Sequence, residues 1–216
     1  MKFGKSYSFF RDGKNGIKTM LNCVEEPAYS ENPLGFFIRL ARYKFPSRFI
    51  KSTDHVIDIG CGAGIGTTFL SNFSEHVTGA DIDNDLISHN IKTNKNKKID
   101  FIPFDLLKPH KKKYDVVVSM DVIEHFNRNK SEIVAENYAK LTKPNGFAVI
   151  GTPNKFSNIY ASQGRIGTHL HEFEPQELEE LLLGHFKRVF LFSMTDETIS
   201  TAFIKMAWYL VALCTK

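Results

Sequence analysis

Apolar and polar positions along this chain change rhythm near residue 55. Before that point, residues 32–50 carry Leu34, Phe37, Ile38, Ala41, Phe45 and Phe49 on what would be one face of a helix. Pro46 is expected to end or kink it. After it, short β-branched runs alternate with helical patterns. Strands are predicted at 55–59, 76–81, 99–104, 114–120 and 146–151, with helices at 67–73, 83–94 and 130–141. Asp83 or Asn84 would cap the second of these helices. A further helix at 175–183 opens on Pro175, a residue suited to a first turn. The last strand candidates are 189–194 and 202–214.

Strands alternating with helices predict right-handed crossovers and a mostly parallel sheet. The run YDVVVSM at Tyr114–Met120 is apolar on both faces, as in a sheet covered on both sides. The expected fold class is therefore α/β, doubly wound. Residues 1–50 read as an N-terminal extension or helical lid, and residues 51–216 as a single domain.

Composition narrows the function classes. The chain has 216 residues, 42% hydrophobic and 24% charged, enough for one substantial core. Most of the 19 Phe belong in that core, with some available to line a lid or a cleft. A formal charge of +4 is too small to mark a nucleic-acid binder. The Lys runs at 95–98 and 111–113 lie beside turns and read as solvated loops. The three cysteines, Cys23, Cys61 and Cys214, are widely spaced without a CxxC. That excludes a disulfide framework and a thiolate zinc site. The N-terminus lacks the apolar core of a signal peptide, and the run 207–214 is too short to span a bilayer. A cytoplasmic protein is expected.

The stretch Val56–Gly66, VIDIGCGAGIG, holds the clearest chemistry. A strand carrying an acid runs into a glycine-rich bend and then a helix, and glycines let a ligand approach the backbone. The dinucleotide pattern GxGxxG fails in both registers, because Ile65 and Thr67 stand where glycine is required. What remains is DxGxGxG, built on Asp58, Gly60, Gly62 and Gly64. An acid at that place would repel a pyrophosphate but suits a ligand bearing an ammonium group. Asp81 ends the next strand, where a carboxylate can accept from ribose hydroxyls. Asp105 follows the third. Alone, each acid suits a cap or the surface. Three acids at three successive strand ends point to a ligand.

In order, VIDIGCGAGIG, VTGADI, FIPFDLL, YDVVVSMDVIEHF and LTKPNGFAVIGTPN resemble the motifs of Rossmann-like S-adenosylmethionine-dependent methyltransferases over about residues 39–190. The similarity is closest to the branch of ubiquinone-biosynthesis O-methyltransferases and of many sugar and small-molecule methyltransferases. The resemblance implies a seven-stranded sheet whose last strand is antiparallel, with that strand near 202–214. It implies that Gly60, Cys61 and Gly62 wrap the methionine part of the cofactor. Asp81 would take the ribose, Ile82 would pack on the adenine, and Asp105 and Leu106 would hold the adenine edge. Met120 and Asp121 would lie near the transferred methyl. Arg42-Tyr43 resembles an RY pair before the first strand, and Arg42 is expected to meet the cofactor carboxylate.

On the acceptor side, Asp121, Glu124 and His125 form a DxxEH group after the fourth strand, and His169 and His171 stand in a later loop. Histidine is the natural base near neutral pH. Two acids and two histidines could instead hold a divalent metal, with Asp121, Glu124, His125 and His171 as the ligand set. DxxEH, TPN at 152–154 and HLHEFEP at 169–175 also resemble elements of small-RNA 2′-O-methyltransferases, which carry ExxEH and HxHxF. The expectation is an enzyme moving a methyl group to an oxygen of a small molecule or sugar, such as a cell-surface polysaccharide precursor. The alternatives are a metal-dependent RNA ribose 2′-O-methyltransferase and a cofactor-binding module without turnover.

Overall fold

The computed structural model describes residues 32–160, 163–202 and 204–216. The extension expected at 1–30, and Cys23 within it, lie outside these residues. Eight strands form one sheet among the described residues: β1 (His55–Ile59), β2 (His76–Asp81), β3 (Ile99–Pro103), β4 (Tyr114–Met120), β5 (Thr142–Pro153), β6 (Arg188–Thr195), β7 (Thr198–Ser200) and β8 (Tyr209–Thr215). Their order is β3-β2-β1-β4-β5-β8-β6-β7. β1 to β5 pair in parallel, and β8 runs antiparallel to both β5 and β6.

The doubly wound α/β sheet with a reversed last strand is thus present, with two differences. β7 adds an eighth, edge strand, folded back on β6 through a two-residue turn. Asp196 adopts a φ of 54° there, a left-handed geometry that Asp tolerates. In addition, the last strand starts at Tyr209 rather than 202, because Ile204–Met206 coils into a 3-10 turn.

The helices are α1 (Pro33–Lys44), α2 (Ile65–Leu70), α3 (Asn84–Thr93), α4 (Arg128–Leu141), α5 (Gln163–Thr168) and α6 (Pro175–Leu183). Asn32 caps α1 by accepting from the Gly35 N–H at 2.9 Å, with Pro33 in its first turn. Pro46 begins a separate 3-10 turn, so the helix stops at Lys44. Asp83 caps α3 through the N–H groups of Asp85 and Leu86. Among the described residues, no helix is long and apolar enough to cross a membrane.

Alternation along the strands feeds two cores. Ile57, Val117, Ile150 and Leu210 face α4 and α6, packing with Val134, Tyr138, Leu178 and Leu182. Val56, Val118, Val149 and Val211 face the other way, with Leu70 and the α1 residues Ile38, Ala41 and Tyr43. Each such fully buried branched side chain contributes about 1.5–3 kcal/mol. A buried 2.8 Å hydrogen bond between Ser119 Oγ and Tyr138 Oη ties β4 to α4.

Tyr43 seats α1 against α2. A Cβ placed on Gly66 would lie 2.1 Å from the Tyr43 ring. Gly66→Ala in a helix would ordinarily add about 0.5–1 kcal/mol. Here the overpacking cost of about 1–3 kcal/mol dominates, so a lower urea midpoint at unchanged slope is expected. A midpoint at or above that of the parent chain would contradict this seating.

Candidate active site

The strand tips converge on the glycine bend. Gly60, Gly62 and Gly64 hold φ of 74°, 51° and 89°, which glycine alone adopts without strain. The N–H groups of Gly60 and Cys61 both donate to Ala80 O, at 2.8 and 3.1 Å. Gly62 N–H donates to Asp81 Oδ2 at 2.8 Å, and Asp83 N–H to Oδ1 at 3.0 Å. The bend is therefore locked to the tip of β2. A carboxylate offers about four lone-pair sites, so Asp81 retains capacity for a diol. A Cβ on Gly62 would meet nothing within 4 Å, which leaves room for a ligand against the backbone. Ile82, next to Asp81, is 70% exposed and offers an apolar face.

Asp58 is fully buried and accepts from Thr67 Oγ1 at 2.6 Å. Its Oδ1 has no hydrogen-bond partner among the described residues. Burial pushes its carboxyl up to about 7, against the lowering effect of the Thr67 and Tyr43 hydroxyls. Burial also pushes the Cys61 thiol far up, so it is no nucleophile.

Asp105 serves its own turn: Oδ1 takes the Leu107 N–H at 3.0 Å, and Lys108 lies 3.5 Å from Oδ2. Leu106 is buried in the core, with its carbonyl accepting from Asn137 Nδ2 at 2.8 Å. Met120 is buried beside the Tyr209 hydroxyl.

Arg42 was expected at the cofactor carboxylate. Its guanidinium forms an ion pair with Asp121 and lies 3.9 Å above the Tyr209 ring centroid. Burial alone would lower its value, but Asp121 more than offsets this and the net direction is up. Asp121 holds a left-handed φ of 57°, a strained place for a non-glycine residue. Its N–H donates to Gly151 O at 3.0 Å and to Tyr209 Oη at 3.2 Å, which fixes that turn.

Beyond Asp121, the 3-10 turn Ile123–His125 carries Glu124 inward. Glu124 is fully buried, with Thr152 Oγ1 donating to Oε2 at 2.9 Å and Oε1 unpartnered. Burial, with the Asp121 charge, pushes its carboxyl up to about 8. Possible ligand atoms of Glu124, His125 and His169 lie within 4.8 Å of one another.

Two members of the predicted set Asp121, Glu124, His125 and His171 have other partners in the structure. Asp121 is taken by Arg42. His171 turns away to Glu177, 3.0 Å from Nε2, and against the Phe173 ring. The cause is local. The N–H groups of Leu170 and His171 both donate to Glu124 O, at 2.8 and 3.1 Å, and the chain bends at Leu170. The bend sends the two imidazoles apart.

Both remaining histidines have defined tautomers. His125 Nδ1 lies 3.0 Å from Thr168 O, which can only accept, so Nδ1 carries the proton. His169 Nδ1 lies 2.6 Å from Glu172 Oε1. Burial raises the Glu172 carboxyl, but Arg165 and His169 outweigh it and hold the group below its usual value, so it accepts as a carboxylate. In the neutral form of each ring, Nε2 would then carry the lone pair.

A cleft of about 670 Å³ opens here. Its walls include Arg39, Arg42, Asp121, His169, Trp208 and Tyr209. From sequence, Tyr209, Trp208, Thr152 and Arg165 have no assigned role, and Glu172 stands only within the candidate group at 168–172. Thr152 and Glu172 sit inside quoted motifs, TPN and HLHEFEP, and that was the available signal.

Known proteins place this architecture. A family model described as "Methyltransferase domain" matches residues 36–185. The ubiquinone biosynthesis O-methyltransferase of Hydrogenovibrio crunogenus is 29% identical over 143 residues, 58% of this chain and 58% of that protein. The Rickettsia bellii protein of the same name is 29% identical over 203 residues, 84% of this chain and 77% of that protein. The solved methyltransferase domain of bacterial CtHen1 superposes with a TM-score of 0.67 at 20% identity, over 82% of this chain and 98% of that one. The family match over most of the chain, joined to the glycine bend and the reversed last strand, means that this chain belongs to the methyltransferase-domain family and is a Rossmann-like S-adenosylmethionine-dependent methyltransferase.

Proposed function

We propose that this chain methylates a hydroxyl oxygen of a small acceptor seated in the cleft beside Asp121 and Tyr209. The observation that carries the reading is the convergence of Glu124 with His125 and His169, whose Nδ1 partners leave both Nε2 lone pairs available. An oxygen acceptor must lose a proton, and neutral imidazole is the group suited to take it near pH 7. The relatives' name, ubiquinone biosynthesis O-methyltransferase, agrees with an oxygen acceptor. Trp208, 50% exposed in the cleft wall, offers a flat face for the ring of an aromatic or sugar acceptor.

S-adenosylmethionine supplies an electrophilic methyl on a sulfonium. We assign its ribose to Asp81, its amine to the acid-lined bend at Asp58–Gly62, and its adenine to the Ile82 face. His169 lines the cleft and receives the hydroxyl proton at Nε2. Arg42 holds Asp121 in its turn and Tyr209 backs both, so these groups shape the floor on which the acceptor oxygen is aligned for in-line transfer.

A second reading, a divalent cation at Glu124, His125 and His169, is favoured by the unpartnered Glu124 Oε1. The Nδ1 partners also follow the usual pattern of metal-bound histidine, one a carboxylate and one a backbone carbonyl. These residues fit such an ion, which would lower the acceptor hydroxyl's pKa. That set would also serve a ribose 2′-hydroxyl of RNA, whose binding would weaken steeply with salt.

Release of S-adenosylhomocysteine across a panel of phenols, catechols and sugars, with the product's methyl located by NMR, tests the main reading. An O-methyl product is expected, and transfer only to nitrogen or carbon would overturn it. Chelation followed by Mg²⁺ or Mn²⁺ add-back separates the two readings. Full activity in chelator leaves His169 as base, and loss with recovery assigns the ion.

Asp81→Ala is expected to weaken S-adenosylmethionine binding by about 1–3 kcal/mol through lost charged hydrogen bonds. Unchanged calorimetric affinity would remove Asp81 from that role.

Stability should depend on pH through Asp58 and Glu124, whose folded-state values lie above the ordinary carboxyl range. Folding therefore retains their protons. The stability they supply is full below about pH 4, their unfolded range. It is lost as pH rises through about 7 for Asp58 and about 8 for Glu124. The metal-free chain should melt progressively lower across that window, and Glu124→Gln should flatten its upper part. A flat profile in the parent chain would contradict the burial of these two acids.

A further inference from the structure

Glu172 is the acid against which His169 rests, and it is unusually well held. Its side chain is 6% exposed, and a buried carboxylate is costly unless paired. Arg165 provides the pair as a fork: Nε donates to Oε1 at 2.6 Å and Nη2 to Oε2 at 2.7 Å. Two contacts fix the plane of the carboxylate as well as its place. The same Nη2 also donates to Ser157 Oγ at 3.1 Å and Asn154 O at 3.2 Å, just beyond the end of β5. The backbone is pinned as well, since Asn154 and Phe173 form a parallel bridge and Lys155 N–H donates to Phe173 O at 3.0 Å.

Other histidine–acid pairs among the described residues lack this combination. The acids facing His76, His171 and His185 are 69%, 25% and 73% exposed. The arginine on Glu177 makes one 3.2 Å contact from a side chain that is itself 78% exposed. A surface pair of that kind orients a ring weakly. Of these pairs, the one at His169 has an acid that both receives Nδ1–H and sits in a two-point arginine fork.

We propose that Glu172, clamped by Arg165, is a positioning residue that fixes the tautomer and orientation of His169, so that its Nε2 lone pair is presented to the acceptor cleft beside Glu124 and His125. The assignment rests on the reading of that cluster as the group acting on the acceptor hydroxyl. It holds whether Nε2 takes the hydroxyl proton or a cation. Arg165 thereby acts on the chemistry through two intermediaries, without touching an acceptor through this contact.

The test uses the chain labelled with ¹⁵N-histidine, as the parent and as Glu172→Gln and Arg165→Lys. The parent should show His169 in a single tautomer, protonated at Nδ1. Gln removes the charge that selects this tautomer, and Lys replaces the fork by a point charge, so both variants should show a mixed tautomer at His169. His125 takes its tautomer from Thr168 O and should keep its signal in every spectrum, which reports an intact fold. An unchanged His169 signal in both variants, or a parent spectrum already mixed, would overturn the proposal. If His125 shifts too, the same comparison is made with Glu172→Asp, which keeps the charge but shortens the reach. A His169 signal indistinguishable from the parent's would then overturn it, and a mixed one would support it.

In the hydroxyl-acceptor assay, kcat should fall roughly 10–100-fold in Glu172→Gln, the usual range for a group that orients a working histidine. KM for S-adenosylmethionine should stay as in the parent. The tautomer spectrum needs no acceptor, so failure of the O-methyl reading leaves this test standing.

Discussion

The loops beyond β4 and β5 are organised around one buried carboxyl, that of Glu124. Its main-chain carbonyl gathers two consecutive N–H groups from the 170–171 bend, and its side chain takes the Thr152 hydroxyl from the end of β5. A single residue at the tip of β4 thus couples a neighbouring strand to a distant loop. Leaving one of its oxygens without a partner in a dry site is unfavourable by about 1–3 kcal/mol. Folds keep such a group where it is used. The burial that makes Glu124 hard to ionise also makes it a strong ligand or acceptor once a cation or donor arrives.

Arg42, Asp121 and Tyr209 come from three distant parts of the chain and meet under the cleft. The left-handed turn at Asp121 is sustained by two acceptors for its N–H and by the arginine on its side chain. None of the three would hold its geometry alone. The two residues of the RY pair consequently point to different neighbours: Arg42 pairs with Asp121, while Tyr43 fills the space over Gly66 and lies near Asp58.

Much of this was legible in the sequence, for identifiable reasons. β1, β2 and β4 were readable to the residue because each is a short run built on β-branched residues and closed by glycine or acid. The DxGxGxG bend and Asp81 declare themselves because ligand chemistry and backbone geometry both constrain those positions. The histidine pair was harder. His169 and His171 are two apart and chemically identical, and the choice between them depends on which N–H groups reach Glu124 O, a contact across more than forty positions. Arg42 went to Asp121 for a similar reason, since ion pairing across 79 positions leaves no periodic trace. Helix starts were legible where a capping side chain marks them, as at Asp83. The hairpin that adds β7 depends on one left-handed aspartate, which a polar run does not announce.

The position of β8 has a consequence for synthesis. This strand is made after every other strand described, yet it lies between β5 and β6. Until it emerges from the ribosome, β5 presents a long row of unpaired main-chain groups flanked by apolar side chains, and the β6–β7 hairpin has no sheet to join. Such an edge is an invitation to pair with another chain. Tyr209, at the head of the same strand, braces the acceptor cleft. The strand that closes the sheet therefore also completes the wall of this cleft, and a nascent chain short of it has both an open edge and an unfinished cleft.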